Sequence, residues 1–229
     1  MHPLEAKLGQ RYALSRQQLV IESEPFDLAV IGNVEALLEA LIALGPDHED
    51  YADERIPYWA ELWPAAIGMA THILRTRPIA AGAGVLEIGC GLGLPGIAAA
   101  RLGAQICLTD YLADAVDIAA LNGYLNLGEV PAVRLLDWRE ATPDLAADVL
   151  LASDVAYEKR AYAPLLQAFR TLVRPGGKVL LSEPGRTMTQ DFIRSLPAEG
   201  FAVQTFVYPV LLRGTSTTVQ VCEIVPDNR

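Results

Sequence analysis

Cysteine is scarce: Cys90, Cys107 and Cys222 are the only three in 229 residues, and none belongs to a C-x-x-C pair. Such spacing offers neither a disulfide framework nor a zinc site. Cys107 lies in the apolar run Ile106 to Leu108 and is expected to be a small buried residue. Histidine is as sparse, and His2, His48 and His72 form no cluster with metal-ligand spacing, so no metal centre is expected. No uncharged run exceeds about 13 residues, the length of Leu62 to Leu74, short of the ~18 to 20 of a membrane span. Basic residues are outnumbered, 18 against 28 acidic, for a net charge of −10. That balance argues against holding nucleic acid by general charge attraction. The acid excess is read as distributed along the chain, favouring a cationic substrate and nothing more specific. Met1 to Arg16 carries both signs of charge without an apolar block and cleavage site, so secretion is not signalled and a cytoplasmic location is expected.

What is present suits one α/β domain. Apolar residues make up 52% of the chain, and from about residue 84 short apolar runs alternate with helical patterns, as in a parallel sheet covered by helices. The expected strands are Gly84 to Ile88, Gln105 to Thr109, Ala132 to Leu136, Asp148 to Ala152 and Lys178 to Ser182, with helices near 95–103, 112–126 and 160–173. After a helix near 188–197, Ala202 to Val207 and Thr217 to Val225 have no helix between them and should pair as an antiparallel hairpin. The sum is a Rossmann-like sheet of seven mostly parallel strands with one reversed and helices on both faces.

Ahead of this core, Gln18 to Glu22 and Phe26 to Ile31 read as two short strands. Asn33 caps a helix that Gly45-Pro46 ends after Leu44. Asp47 to Glu54 reads as a solvated acidic loop, and Leu62 to Leu74 as a helix opened by Pro64. Residues 1–56 are therefore expected to form a small α/β extension and residues 57–229 the main domain.

The most informative stretch runs from Val85 to Gly96, where a buried strand breaks into glycines and then a helix. Gly91, Gly93 and Gly96 satisfy the dinucleotide spacing G-x-G-x-x-G, a weak signal alone. Glu87, two residues before Gly89, is a poor neighbour for a pyrophosphate but suits a ligand carrying an ammonium group. The next strand ends in Thr109-Asp110-Tyr111, where Asp110 can accept both hydroxyls of a ribose. The third runs into Asp137-Trp138, where a carboxylate can take an adenine amino group and an indole can lie on the ring. These groups fall at the carboxyl ends of adjacent strands, where open α/β sheets bind ligands. An adenosine without phosphates and with a cationic tail describes S-adenosylmethionine.

With those residues in place, the chain resembles the class I, seven-β-strand methyltransferases over roughly residues 59 to 225. Glu87-Ile88-Gly89-Cys90-Gly91 is similar to their first motif. The resemblance implies the strand order 3-2-1-4-5-7-6 with the seventh antiparallel, and a cofactor site of Glu87, Gly89, Gly91, Asp110, Tyr111, Asp137, Trp138 and Ser153. At the fourth strand's end, Ala152-Ser153-Asp154-Val155-Ala156-Tyr157 lacks the Asn/Asp-Pro-Pro-Tyr/Phe turn of enzymes that methylate planar amines and amides. Asp154 and Tyr157 instead resemble the D-x-x-Y motif of the family 16 methyltransferases, a group rich in protein lysine methyltransferases. Pro57 to Pro64 resembles the segment whose tryptophan, here Trp63, packs over the cofactor in that group. Ala156 departs from the larger residue common there. The similarity is greatest to the branch containing the electron-transfer-flavoprotein β-subunit lysine methyltransferase.

The resemblance implies methyl transfer to a protein lysine, with Asp154 orienting the amine and Tyr157 offering a phenol and a π-face. A small amine could serve as the acceptor instead. The alternatives from other classes are a nicotinamide-dependent oxidoreductase using the same glycines and a cofactor-binding scaffold without activity. The absence of a Tyr-x-x-x-Lys pair removes the commonest short-chain reductase arrangement.

Overall fold

The computed structural model describes residues 2–52 and 56–227. The chain opens with α1 (Pro3–Gly9), the strands β1 (Leu14–Ile21) and β2 (Glu24–Ile31), then α2 (Val34–Leu44) and α3 (Glu49–Ala52). A 3-10 turn at Tyr58–Ala60 leads into α4 (Pro64–Thr76). The core then alternates β3 (Gly84–Ile88), α5 (Leu94–Arg101), β4 (Gln105–Asp110), α6 (Ala113–Leu127), β5 (Ala132–Leu135), β6 (Ala147–Ser153), α7 (Tyr162–Leu172) and β7 (Val173–Glu183). Last come α8 (Thr187–Ser195), β8 (Phe201–Leu212) and β9 (Thr215–Pro226).

The seven core strands lie in the order β5-β4-β3-β6-β7-β9-β8. Only β9 runs against the rest, antiparallel to both β7 and β8. Counted from Gly84 this is the order 3-2-1-4-5-7-6. Strands such as Val85 to Ile88 are buried on both faces because helices cover both, and apolar apart from Glu87. One core lies beneath α4, α5 and α6, with residues such as Met69, Ile97 and Leu121. The other lies beneath α7 and α8, with Phe169 and Phe192. The crossing from β3 to β6 puts the sheet's switch point between them, and the candidate site opens there.

Several boundaries differ from the sequence expectation. The final hairpin is longer, twelve residues in each strand, and turns tightly at Arg213-Gly214, both with positive φ. Pro209 interrupts the strand pattern in the sequence but sits on the edge strand β8, where a missing N–H is tolerated. The first hairpin is likewise longer than Gln18 to Glu22 and Phe26 to Ile31, because Glu22-Ser23, both with positive φ, form its turn. The acidic stretch is not wholly a loop, since it includes α3; Asp53 and Glu54 lie outside the described residues. Cys107 is half-buried rather than buried, because β4 neighbours the exposed edge strand β5.

The hairpin of β1 and β2 is fastened to α6 by two asparagines one helical turn apart. Asn122 Oδ1 accepts from the Ala29 amide at 2.7 Å and its Nδ2 donates to the Ala29 carbonyl at 3.2 Å. Asn126 repeats this with Asp27, at 3.0 and 2.8 Å. Four helical residues rise about 6 Å and two strand residues about 6.6 Å, so the amides imitate a neighbouring strand. Asn122 Nδ2 also donates to the Leu92 carbonyl at 3.1 Å, tying the extension to the glycine turn.

No helix among the described residues is long and apolar enough to cross a membrane. The same residues contain no group of three potential metal ligands.

Candidate active site

A cleft of about 280 Å³ opens over the carboxyl ends of β3, β4 and β6. At one end the glycine turn wraps two buried acids. Gly89, Gly91 and Gly93 all take positive φ, which carries the chain from β3 into α5 within a few residues. Glu87, 1% exposed, accepts from the Gly96 amide at 2.9 Å through Oε2, while its Oε1 has no partner among the described residues. Gly96 must be glycine for this, since a Cβ there would stand 2.7 Å from that carboxylate oxygen and 2.3 Å from Leu108. Asp110 accepts from the Gly91 amide at 3.1 Å and the Leu112 amide at 3.2 Å.

Burial governs the charge of both groups. Loss of water pushes the Glu87 carboxyl up to about 8, against the Gly96 hydrogen bond and with help from the Asp110 charge. It pushes Asp110 up to about 6, where three backbone amides hold it lower than burial alone would. At neutral pH without ligand, Glu87 is therefore mostly a protonated acid, and a cation beside Oε1 would draw the proton off.

The other end is built by side chains. Asp154 follows β6 with φ +51°, a conformation rare outside glycine, while its amide still donates to the Ser182 carbonyl at 2.9 Å. The turn aims its carboxylate at Arg186, which grips it with two bonds of 2.9 Å, Nε to Oδ1 and a terminal nitrogen to Oδ2. Arg186 is presented by Glu183, whose Oε2 accepts from the Gly185 and Arg186 amides at 2.7 and 2.8 Å. Tyr157 stands at the mouth, and its phenol is pushed up to about 12 by burial and by nearby Glu158. Ser153 lines the cleft wall and accepts from the Ser182 hydroxyl at 3.2 Å.

Aromatic rings close the side facing α4. Trp63, the residue before that helix, donates from its indole to the Tyr58 carbonyl at 2.7 Å. Tyr58 meets both Trp63 and Tyr157 edge-on, at 5.6 and 5.9 Å between ring centres. Trp59, which packs against the core as a core-filling residue would, also lines the cleft, and its backbone lies against Gly91.

Of the expected residues, Trp63, Glu87, Gly89, Gly91, Asp110, Tyr111, Trp138, Ser153, Asp154 and Tyr157 all line this cleft. Asp137 does not. It borders an adjoining depression that shares Tyr111, Trp138 and Tyr157 with the cleft. Its carboxylate caps the short turn after β5 and pairs with Arg139, Nε to both oxygens at 2.9 Å. The adenine contact expected of Asp137 thus has a competitor in Arg139. Tyr58 and Arg186 were missed. Arg186 had a readable signal: it follows Pro184-Gly185, a turn at the carboxyl end of a central strand.

A reversed seventh strand, a glycine turn around a buried acid and a second acid on the next strand tip define a class I methyltransferase fold. The model of the lysine methyltransferase family matches residues 53–198. The chain belongs to that family, whose members depend on S-adenosylmethionine. This overturns the nicotinamide alternative. The chain is 32% identical to the histone-arginine methyltransferase METTL23 of Rattus norvegicus over 54% of its length and 58% of the relative's. It is also 32% identical to the electron transfer flavoprotein beta subunit lysine methyltransferase of Danio rerio, over 59% of its length and 53% of the relative's. The matches thus span little more than half of these curated relatives. Magnesium protoporphyrin IX methyltransferase from Synechocystis PCC 6803, solved with bound S-adenosylmethionine, shares the fold. Its TM-score is 0.54 at 16% identity, with 85% of this chain and 98% of that one covered.

Proposed function

We propose that the protein transfers a methyl group from S-adenosylmethionine to a lysine side chain of a protein. The observation that carries this reading is Asp154, a carboxylate at the mouth of the cleft that already holds an organic cation, with Tyr157 lining the same cleft. The unpartnered Glu87 Oε1 fits the ammonium group of the cofactor, and Asp110 fits its ribose. Gly89, Gly91, Tyr111, Trp138, Ser153 and Trp63 complete the cofactor wall, with Asp137 reaching the adenine edge once Arg139 yields.

When bound, S-adenosylmethionine supplies a methyl group on a positively charged sulfur. The chain's own work is to hold a nucleophile in line with that carbon and to exclude water. Asp154 receives the incoming amine by accepting its N–H in place of Arg186. A lysine of ordinary pKa ~10.4 must lose a proton first. Tyr157 cannot take it near neutral pH as a phenolate, because its phenol stays protonated there. Its part is a hydrogen bond or π-face for the nitrogen, and water carries the proton away. Residues 57–229 form the catalytic domain in this reading, with 1–56 an extension clamped to it through α6.

The test is incubation with labelled S-adenosylmethionine and a lysate, followed by mass spectrometry of the labelled proteins. Methyl-lysine is the expected product. Labelled small molecules alone would point to a free amine as acceptor. Methyl-arginine would support a second reading, favoured by the guanidinium already seated on Asp154.

A further inference from the structure

The acid excess is not spread along the chain. Residues 17–54 contain ten aspartates and glutamates and no lysine or arginine, while the remaining 18 acidic residues are matched by all 18 basic ones. The whole net charge of −10 therefore belongs to the second hairpin strand, its neighbours and the helices α2 and α3. Three of these acids, Glu22, Glu24 and Asp27, are paired with arginines from elsewhere in the chain.

Helix α2 differs from the hairpin. It buries none of its eleven residues, although most are aliphatic. Val34 and Leu37 rest against the core and Leu41, on the same face, is half-buried, which turns the opposite side outward. Glu35, Leu38, Glu39 and Ile42 stand at i, i+3, i+4 and i+7, one stripe about 100° wide. Leu38 and Ile42 on it are 39% and 58% exposed. Neither Glu35 nor Glu39 has an ion-pair partner among the described residues. The chain leaving α2 runs on through α3 to Ile56 and Tyr58, which line the cleft.

We infer that this stripe of α2 is a docking surface for a basic, amphipathic segment of the protein substrate. The inference rests on the methyl-transfer reading given above and adds how the acceptor protein is held. Charge selects the occupant. A second copy meeting this face about a two-fold axis would set glutamate against glutamate with no base in the segment to relieve them. Anionic lipid and nucleic acid are repelled by the same carboxylates. A lysine-rich partner gains from them both in steering and in register, while Leu38 and Ile42 take its apolar side.

The test uses the full chain saturated with S-adenosylhomocysteine and a labelled synthetic helical peptide with one lysine face and one leucine face. Binding should weaken as salt rises. It should fall roughly tenfold or more, about 1.4 kcal/mol, in the double variant Glu35→Lys/Glu39→Lys, and fall also in Leu38→Ser/Ile42→Ser. S-adenosylhomocysteine affinity should not change in either, which shows that the fold survives. Undiminished binding by the charge-reversed variant would overturn the proposal. So would equal binding of a glutamate-leucine peptide, or a concentration-dependent dimer that the serine variant abolishes. Labelled S-adenosylmethionine reads the chemistry separately: absence of transfer to any protein by the unmodified enzyme defeats the proposed function, whereas transfer with unaltered docking in the variants defeats only this surface.

Discussion

The two ends of the cleft are made in opposite ways. At the glycine turn, Glu87 and Asp110 are 1% and 4% exposed and are held by backbone amides of Gly91, Gly96 and Leu112. Every contributor falls within residues 87–112. At the acceptor end, Tyr58, Asp154 and Arg186 come from three distant segments, and side chains hold one another there, with the Arg186 side chain 42% exposed. The first arrangement is costly to change, because buried carboxylates depend on fixed donors. The second can exchange partners, because water and salt compensate a broken pair at the surface. Under the proposed function, a fixed seat for the cofactor beside an adjustable mouth for the acceptor suits an enzyme in which one ligand never varies and the other does.

The contrast is sharpest in its response to pH. Glu87 has its folded pKa raised from 4.5 to about 8, so the empty protein binds more protons than the unfolded chain across that interval. Stability should therefore fall as pH rises from about 4.5 to about 8, by up to ~1.4 kcal/mol per pH unit from this group. Thermal melts of the empty protein at pH 6 and pH 8 should show the loss, and Glu87→Gln should flatten it. Proton release on adding S-adenosylhomocysteine near pH 7 should vanish in the same variant. A pH-independent melt would place the Glu87 charge elsewhere. Next in size is Asp110→Ala. If its carboxylate takes two ribose hydroxyls, at roughly 1.5 kcal/mol or more for each charge-assisted bond, calorimetric affinity for S-adenosylhomocysteine should drop by on the order of a hundredfold. An unchanged affinity would remove Asp110 from the cofactor seat.

The same division decided what could be read in advance. The glycine turn and the positions of Glu87 and Asp110 at strand tips were legible because they depend on short-range chemistry: a buried run, glycines able to take positive φ, and an acid at a fixed offset. The strand order came from the family resemblance, since periodicity alone only permits it. The lengths of β8 and β9 were not legible, since Pro209 looks like a break until β8 is known to be an edge. Asp137 was placed correctly at a strand tip, yet no spacing rule says that Arg139, two residues on, will take its carboxylate. Arg186 was invisible as a partner of Asp154 for a different reason. Their separation of 32 residues is closed only by the pairing of β6 with β7 and by the Glu183 turn. The asparagine pair on α6 reads as ordinary helix surface until β2 lies against it.

A smaller effect tests the rigidity of the seat. Gly96→Ala puts a methyl group within 2.3 Å of Leu108 and 2.7 Å of the Glu87 carboxylate. Overpacking of this kind costs about 1 to 3 kcal/mol, so the melting temperature should drop by several degrees and cofactor affinity should fall with it. A variant that melts normally would show the turn to be as yielding as the mouth.

The smallest expected effect lies at the mouth itself. Arg186→Met removes an ion pair whose arginine side chain is 42% exposed and whose aspartate is 10% exposed. Because the freed carboxylate still faces the cleft, the loss of stability should stay near the upper end of a surface pair's worth, about 1 kcal/mol. Its consequence should be kinetic. With Asp154 no longer occupied, a cationic acceptor has no guanidinium to displace, and its KM should fall by up to about fivefold, the equivalent of ~1 kcal/mol. Cofactor affinity should stay as it was, because among the described residues Arg186 has no hydrogen bond or ion pair with Glu87 or Asp110. A rise in acceptor KM, or a loss confined to kcat, would mean that Arg186 holds Asp154 in place rather than competing for it. The two ends of the cleft would then be equally built, and the contrast between them would fail.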